Sequence, residues 1–132
     1  MVKISKILVN VDFTTPTLKA LEYAKDLANK YSAELVVFYE MEDVYILKRA
    51  SVGFGMPVPP DLEEKSRKTA QLKMQEAMKN FEGKYKPIVD CCGKMKDRLL
   101  KTIEEENPDL VVITSECQDL IGKIKQNVFL IK

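Results

Sequence analysis

Four short runs of this chain are apolar almost without interruption: Ile7-Leu8-Val9, Leu35-Val36-Val37-Phe38, Leu110-Val111-Val112-Ile113 and Val128-Phe129-Leu130-Ile131. A strand with one wet face alternates apolar and polar residues, whereas a strand covered on both faces has no reason to alternate. Runs this short are strands rather than buried helices, and the stretches between them carry helical spacing. A chain that alternates strand and helix in this way folds as an α/β domain. Its sheet is parallel, its helices lie on both faces, and its crossovers are right-handed.

The order predicted along the chain is β-α-β-α-β-α-β-α-β. The first strand, Lys6 to Asp12, closes on an acid. Thr15 reads as the cap of the first helix with Pro16 at its first position, and Leu18, Leu21, Ala24, Ala28 and Tyr31 read as its inner stripe. Residues 40–60 follow no clean period and end in Met56-Pro57-Val58-Pro59-Pro60, an extended segment. The apolar stretch from Met41 to Met56 reads as a loose connector, a flap or a partner surface. Asp61 with Glu64 resembles a capping box for a helix carrying Leu62, Ser66, Ala70, Met74, Ala77 and Phe81, which Gly83 ends. Pro87 places the third strand, Tyr85 to Asp90, at a sheet edge. A third helix carries Met95, Leu99, Leu100 and Ile103 and stops at Asn107-Pro108. A short helix around Asp119 to Lys125 leads to the last strand.

The 132 residues fit one domain spanning 1–132. Lys+Arg 21 against Asp+Glu 20 leaves a net charge of +1, which gives no reason to expect nucleic acid or an anionic membrane as a partner. No apolar run approaches the roughly 20 residues of a membrane helix, and Met1 to Lys6 does not read as a signal peptide, so the expected location is cytoplasmic. The chain has no histidine. That removes Ser-His-Asp and Cys-His nucleophile systems and most zinc sites, and no metal site is expected. Cys91 and Cys92 are adjacent rather than spaced Cys-x-x-Cys, and are expected as two separate, partly buried thiols. Cys117 is expected to be the reachable thiol, without a base to activate it.

In a parallel α/β sheet, ligands meet the carboxyl ends of the strands. The residues placed there are Asp12, Thr14, Thr15, Glu40, Asp90, Thr114, Ser115 and Glu116. Asp12 reads in two ways: as an acceptor for a ribose or metal, or as an acceptor for N–H groups of the following turn. Thr114 and Ser115 can offer hydroxyls and an N–H to a phosphate, or can simply make a turn.

Lys6-Ile7-Leu8-Val9-Asn10-Val11-Asp12-Phe13-Thr14 and Leu18-Lys19-Ala20-Leu21-Glu22-Tyr23-Ala24 resemble the opening of the universal stress proteins. Asp109 to Ile113 and Asn127 to Ile131 are similar to that family's fourth and fifth strands. The resemblance covers essentially the whole chain. It implies a three-layer α/β/α sandwich of the adenine nucleotide alpha hydrolase-like type, with strand order 3-2-1-4-5, and usually a homodimer. Some members bind ATP through an acid after strand one, an apolar residue ending strand two, and a Gly-x-x-Gly then Gly-Ser loop after strand four. Asp12 matches the acid. Asn10 replaces a common proline, Glu40 stands where an apolar residue would touch adenine, and Thr114 and Cys117 stand where the first two glycines would be. The Gly-Ser segment is missing, and Gly122 is a poor substitute.

The expectation is therefore a small universal-stress-type module, regulatory or protective and not an enzyme, with no bound cofactor and with ATP disfavoured. Asp12, Thr14, Glu40, Thr114 and Ser115 would be the remains of a nucleotide cleft, and Glu40 would add repulsive charge there. The expected partner is a second copy, paired through Val128, Phe129, Leu130 and Ile131. The alternatives are a nucleotide-binding switch using Asp12, Thr14 and Ser115, and a signalling receiver in which Asp12, Asp90, Thr114 and Lys132 end strands one, three, four and five. The receiver lacks a second acid beside Asp12 and a last helix.

Overall fold

The computed structural model describes residues 1–132. Five strands, β1 (Lys6–Asn10), β2 (Glu34–Glu40), β3 (Tyr85–Asp90), β4 (Leu110–Thr114) and β5 (Asn127–Ile131), form one sheet. All pairings are parallel, in the order β3-β2-β1-β4-β5. The helices are α1 (Thr15–Tyr31), α2 (Glu42–Phe54), α3 (Leu62–Met78) and α4 (Met95–Glu106). A 3-10 run, Ser115–Lys123, joins β4 to β5.

The unbroken apolar runs exist because the sheet is covered twice. Side chains alternate along a strand, so Ile7, Val9, Leu35, Val37 and Val112 meet Leu21, Ala24 and Ala28 of α1 and Met74 and Met78 of α3. Leu8, Val36, Phe38, Val111 and Ile113 meet Leu99 and Ile103 of α4, with Cys117 and Leu120 of the 3-10 run. Each such side chain withdrawn from water contributes roughly 1.5–3 kcal/mol, so the two apolar layers, not helix propensity, hold the sandwich.

Several local expectations are corrected. The connector after β2 contains a full helix, α2, of which only Val44 is fully buried. A helix lying on the rim needs no apolar stripe, so its period is invisible. Gly55 ends it in the left-handed conformation at φ 66°. The inner stripe of α1 is Thr17, Ala20, Leu21, Ala24 and Ala28, while Leu18 and Tyr31 face solvent. Thr14, not Thr15, precedes that helix as its cap residue. Asp61 makes no capping bond and instead pairs with Lys65 at 2.9 Å. α3 ends at Met78, before Gly83. β3 is an edge strand, as Pro87 requires, and Asn107 closes α4 with φ 46°. The segment after β4 coils at once as a 3-10 run instead of a later α-helix.

Candidate functional site

The carboxyl ends of the strands carry two separate constellations. The first is the turn from β1 into α1. Asp12 Oδ1 accepts the Thr14 N–H at 3.0 Å, the Thr17 hydroxyl at 2.6 Å and the Thr14 hydroxyl, and the Asp12 N–H donates to Thr17 Oγ1 at 3.1 Å. Burial alone would raise the carboxyl's pKa, but the bonds from Thr14 and Thr17 outweigh it and hold Asp12 below the usual carboxylate range. Phe13 adopts φ 64°, which is strained for a bulky side chain. Its ring lies 5.1 Å from Tyr39 and 5.7 Å from Lys73 Nζ. Nothing in the sequence announces this backbone. Asp12 thus does the work of a turn brace. Asp12→Ala is expected to lower stability by about 0.5–2 kcal/mol, as loss of a comparable cap does. A melting temperature equal to that of the parent would contradict the assignment.

The second constellation joins β2, β3 and α4. Glu40 and Asp90 are register partners. Glu40 is only 4% exposed, its Oε2 accepts the Gly93 N–H at 3.1 Å, and its Oε1 is buried with no partner. Burial, then the hydrogen bond and negative charge of Asp90, push its pKa up to about 9. A pKa raised in this way favours the uncharged acid form of Glu40 at neutral pH. This raised pKa runs against the expectation that Glu40 adds charge to the cleft. Asp90 carries the charge: burial would raise its pKa, but the Arg98 guanidinium, at 2.8 and 3.1 Å, keeps it low. Arg98 was not singled out by the sequence, because a charged residue one turn into an amphipathic helix is ordinary.

The remaining site residues do not converge on these. Thr114 is buried, in register with Ile131 and hence on the α1 side of the sheet, whereas Glu40 shares the α4 side with Phe38. Ser115 is exposed and opens the 3-10 run. Of the five residues, only Asp12 and Thr14 are joined by side-chain hydrogen bonds. Hollows of about 290 and 480 Å³ lie elsewhere, at Met74–Tyr85–Val89 and at the first five residues. The receiver arrangement is also excluded by topology. β3 pairs with β2 and not with β1, so Asp90 lies two strands from Asp12, unlike the 2-1-3-4-5 order of receivers.

The thiols also depart from expectation. Cys117 is fully buried, because residues three apart in a 3-10 run stack and Cys117 shares its inward side with Leu120. Burial, then the charge of Glu116, pushes its thiol up to about 11, so it is not a reachable nucleophile. Cys91 and Cys92 are bonded to one another where β3 turns toward α4, with a cis peptide between them. Both side chains leave this tight turn on the same side, which the linear spacing does not reveal.

No helix is long and apolar enough to cross a membrane. A sequence profile of the universal stress protein family matches residues 3–124. A universal stress protein of Aquifex aeolicus (strain VF5) is 34% identical over 108 residues, 80% of each chain. Among solved structures, the universal stress protein UspA from Lactobacillus plantarum superposes with a TM-score of 0.75 at 18% identity, with both chains fully covered. A universal stress protein from Archaeoglobus fulgidus in complex with dAMP superposes with a TM-score of 0.67 at 17% identity, again over the whole of both chains. With the profile spanning nearly the whole sequence and the sheet in the order that the resemblance implied, this chain belongs to the universal stress protein family.

Proposed function

We propose that the protein is a non-catalytic, dimeric regulatory or protective module of the cytoplasmic stress response that does not use ATP as a cofactor. The observation that carries this reading is the path after β4. The chain passes from Thr114 directly into the 3-10 run Ser115–Lys123, where ATP-binding members are expected to carry a glycine-lined loop. A polyphosphate needs several fixed N–H donors that approach closely, which glycines permit and Cβ-bearing residues hinder. Asp12 already has Oδ1 engaged by Thr14 and Thr17, so only its Oδ2 would be left for a ribose. The lack of histidine and the burial of Cys117 remove histidine-activated nucleophiles and that thiol.

The competing reading is a nucleotide switch, favoured by the dAMP-bound Archaeoglobus relative. A monophosphate asks for fewer donors than a triphosphate, and the exposed Ser115 can supply a hydroxyl. Isothermal titration separates the two. MgATP, AMP and dAMP are each expected to give no saturable heat at protein concentrations suited to micromolar binding. A micromolar dissociation constant for MgATP would overturn the leading reading, and one for AMP or dAMP alone would establish the switch.

A further inference from the structure

The bonded pair Cys91–Cys92 does not stand alone. Glu63, in the first turn of α3, reaches over it: Glu63 Oε1 lies 3.7 Å from Cys92 Sγ, and the two sulfurs and the carboxylate oxygen all fall within 4.8 Å of one another. Lys48 Nζ sits against the same atoms, 2.8 Å from Glu63 Oε1 and 3.8 Å from Cys92 Sγ. The cup therefore already holds a positive charge, on a side chain that is 43% exposed and can swing outward.

The separation of Cys92 Sγ from Glu63 Oε1 is that of two ligands around one ion. With Zn–S near 2.3 Å, Zn–O of 2.0–2.2 Å and tetrahedral angles, a shared zinc sets S···O at about 3.6 Å and S···S at about 3.8 Å. The observed S···O distance already meets the first. The second is roughly the contact to which two sulfurs relax once the bond between them is broken. Two thiolates with one carboxylate favour zinc-class ions over magnesium or calcium, which prefer all-oxygen sites.

We propose that, in its reduced form, the Cys91–Cys92 pair binds one zinc-class divalent cation together with Glu63, and that oxidation of the pair releases it. On oxidation the two thiolates give up two electrons and form the Cys91–Cys92 bond. A small-molecule disulfide takes those electrons, its own S–S bond breaks, and its two sulfurs leave as thiols after taking two protons from solvent. The sulfurs then lose the lone-pair charge that held the metal. This site departs from the sequence expectation of no metal and does not depend on the nucleotide reading. It arises because the turn after β3 brings adjacent cysteines under α3, a juxtaposition that no ligand spacing in the sequence encodes.

Zinc competition against a chromophoric chelator tests it on the full chain. One sample is reduced with a phosphine, which becomes the phosphine oxide with oxygen from water. The other is left as the disulfide. The reduced chain is expected to bind one zinc, and the disulfide form at least about tenfold more weakly, a loss no smaller than that from removing an outer partner of a metal ligand. Glu63→Gln should weaken binding by at least about tenfold as well, while Cys117→Ser should leave it unchanged. Cobalt in place of zinc should show thiolate charge-transfer absorption. Absence of stoichiometric zinc in the reduced chain, equal binding in both redox forms, or loss of binding in Cys117→Ser would each overturn the proposal. The redox comparison needs no variant, so misfolding of a mutant cannot obscure the outcome.

Discussion

Glu40→Gln is expected to stabilise the protein at neutral pH by about 1–3 kcal/mol, and the gain should vanish near pH 4.5. In the folded chain Glu40 holds its proton up to about pH 9, whereas an ordinary glutamic acid releases it near 4.5. Between those values the unfolded chain binds fewer protons than the folded one. Raising the pH therefore favours unfolding, and the loss grows through the window from about 4.5 to 9. Glutamine has the same shape, does not titrate, accepts the Gly93 N–H through its oxygen, and donates to Asp90 through its amide. Asp90 does not cancel the effect. Its pKa is lowered below the ordinary 3.8, so its contribution is present above that value and is lost only as the pH falls through its folded pKa. Glu40→Ala should go the other way, by about 1–3 kcal/mol, because it strands a partly buried Gly93 N–H and unbalances Asp90. Thermal unfolding of parent and Glu40→Gln from pH 4.5 to 9 decides the matter. Parallel curves across that range would show that Glu40 ionises normally.

The sheet was legible because its cause is legible. Burial on both faces forces Ile7 to Val9, Leu35 to Phe38 and Leu110 to Ile113 to be apolar at every position, and Pro87 can be tolerated only at an edge. α2 was not legible, because a rim helix resting on Val44 alone imposes no stripe. The candidate site was legible only where it is local. Asp12 and Thr14 are two residues apart, and a short side chain bracing the following turn is a sequence-near event. Glu40 and Asp90 could be read as acids ending strands, but their network with Arg98 spans β2, β3 and α4, and Arg98 carries no mark that sets it apart from other helix charges. The inward turn of Cys117 depended on the 3-10 path after Thr114, which a helix placed several residues later would not produce.

Phe129→Lys is expected to convert the proposed homodimer into monomers, weakening association by about 2–4 kcal/mol, or roughly 30–1000-fold in dissociation constant. β5 is the sheet edge opposite β3, so one row of its backbone groups is unpaired within the chain. Along this strand Ile131 is buried against the α1 side, and Val128 and Leu130 are half-buried against the α4 side. Phe129 is the member left open, 38% exposed and 6.1 Å from the ring of Tyr23, itself 46% exposed. An open edge flanked by two aromatic rings can pair with its own copy about a two-fold axis, and such a pairing would close without further growth. A lysine at 129 places a charge from each copy in that contact, and both would have to be desolvated. Ile131 is unsuitable for the test, because a lysine there enters the core and unfolds the chain regardless of assembly. Phe129 is already partly wet, so Phe129→Lys should change monomer stability by no more than about 1 kcal/mol. Sedimentation of parent, Phe129→Lys and Tyr23→Lys at matched concentrations provides the readout. A parent that sediments as a monomer at high concentration, or a Phe129→Lys chain that remains dimeric, would place the contact elsewhere or remove it.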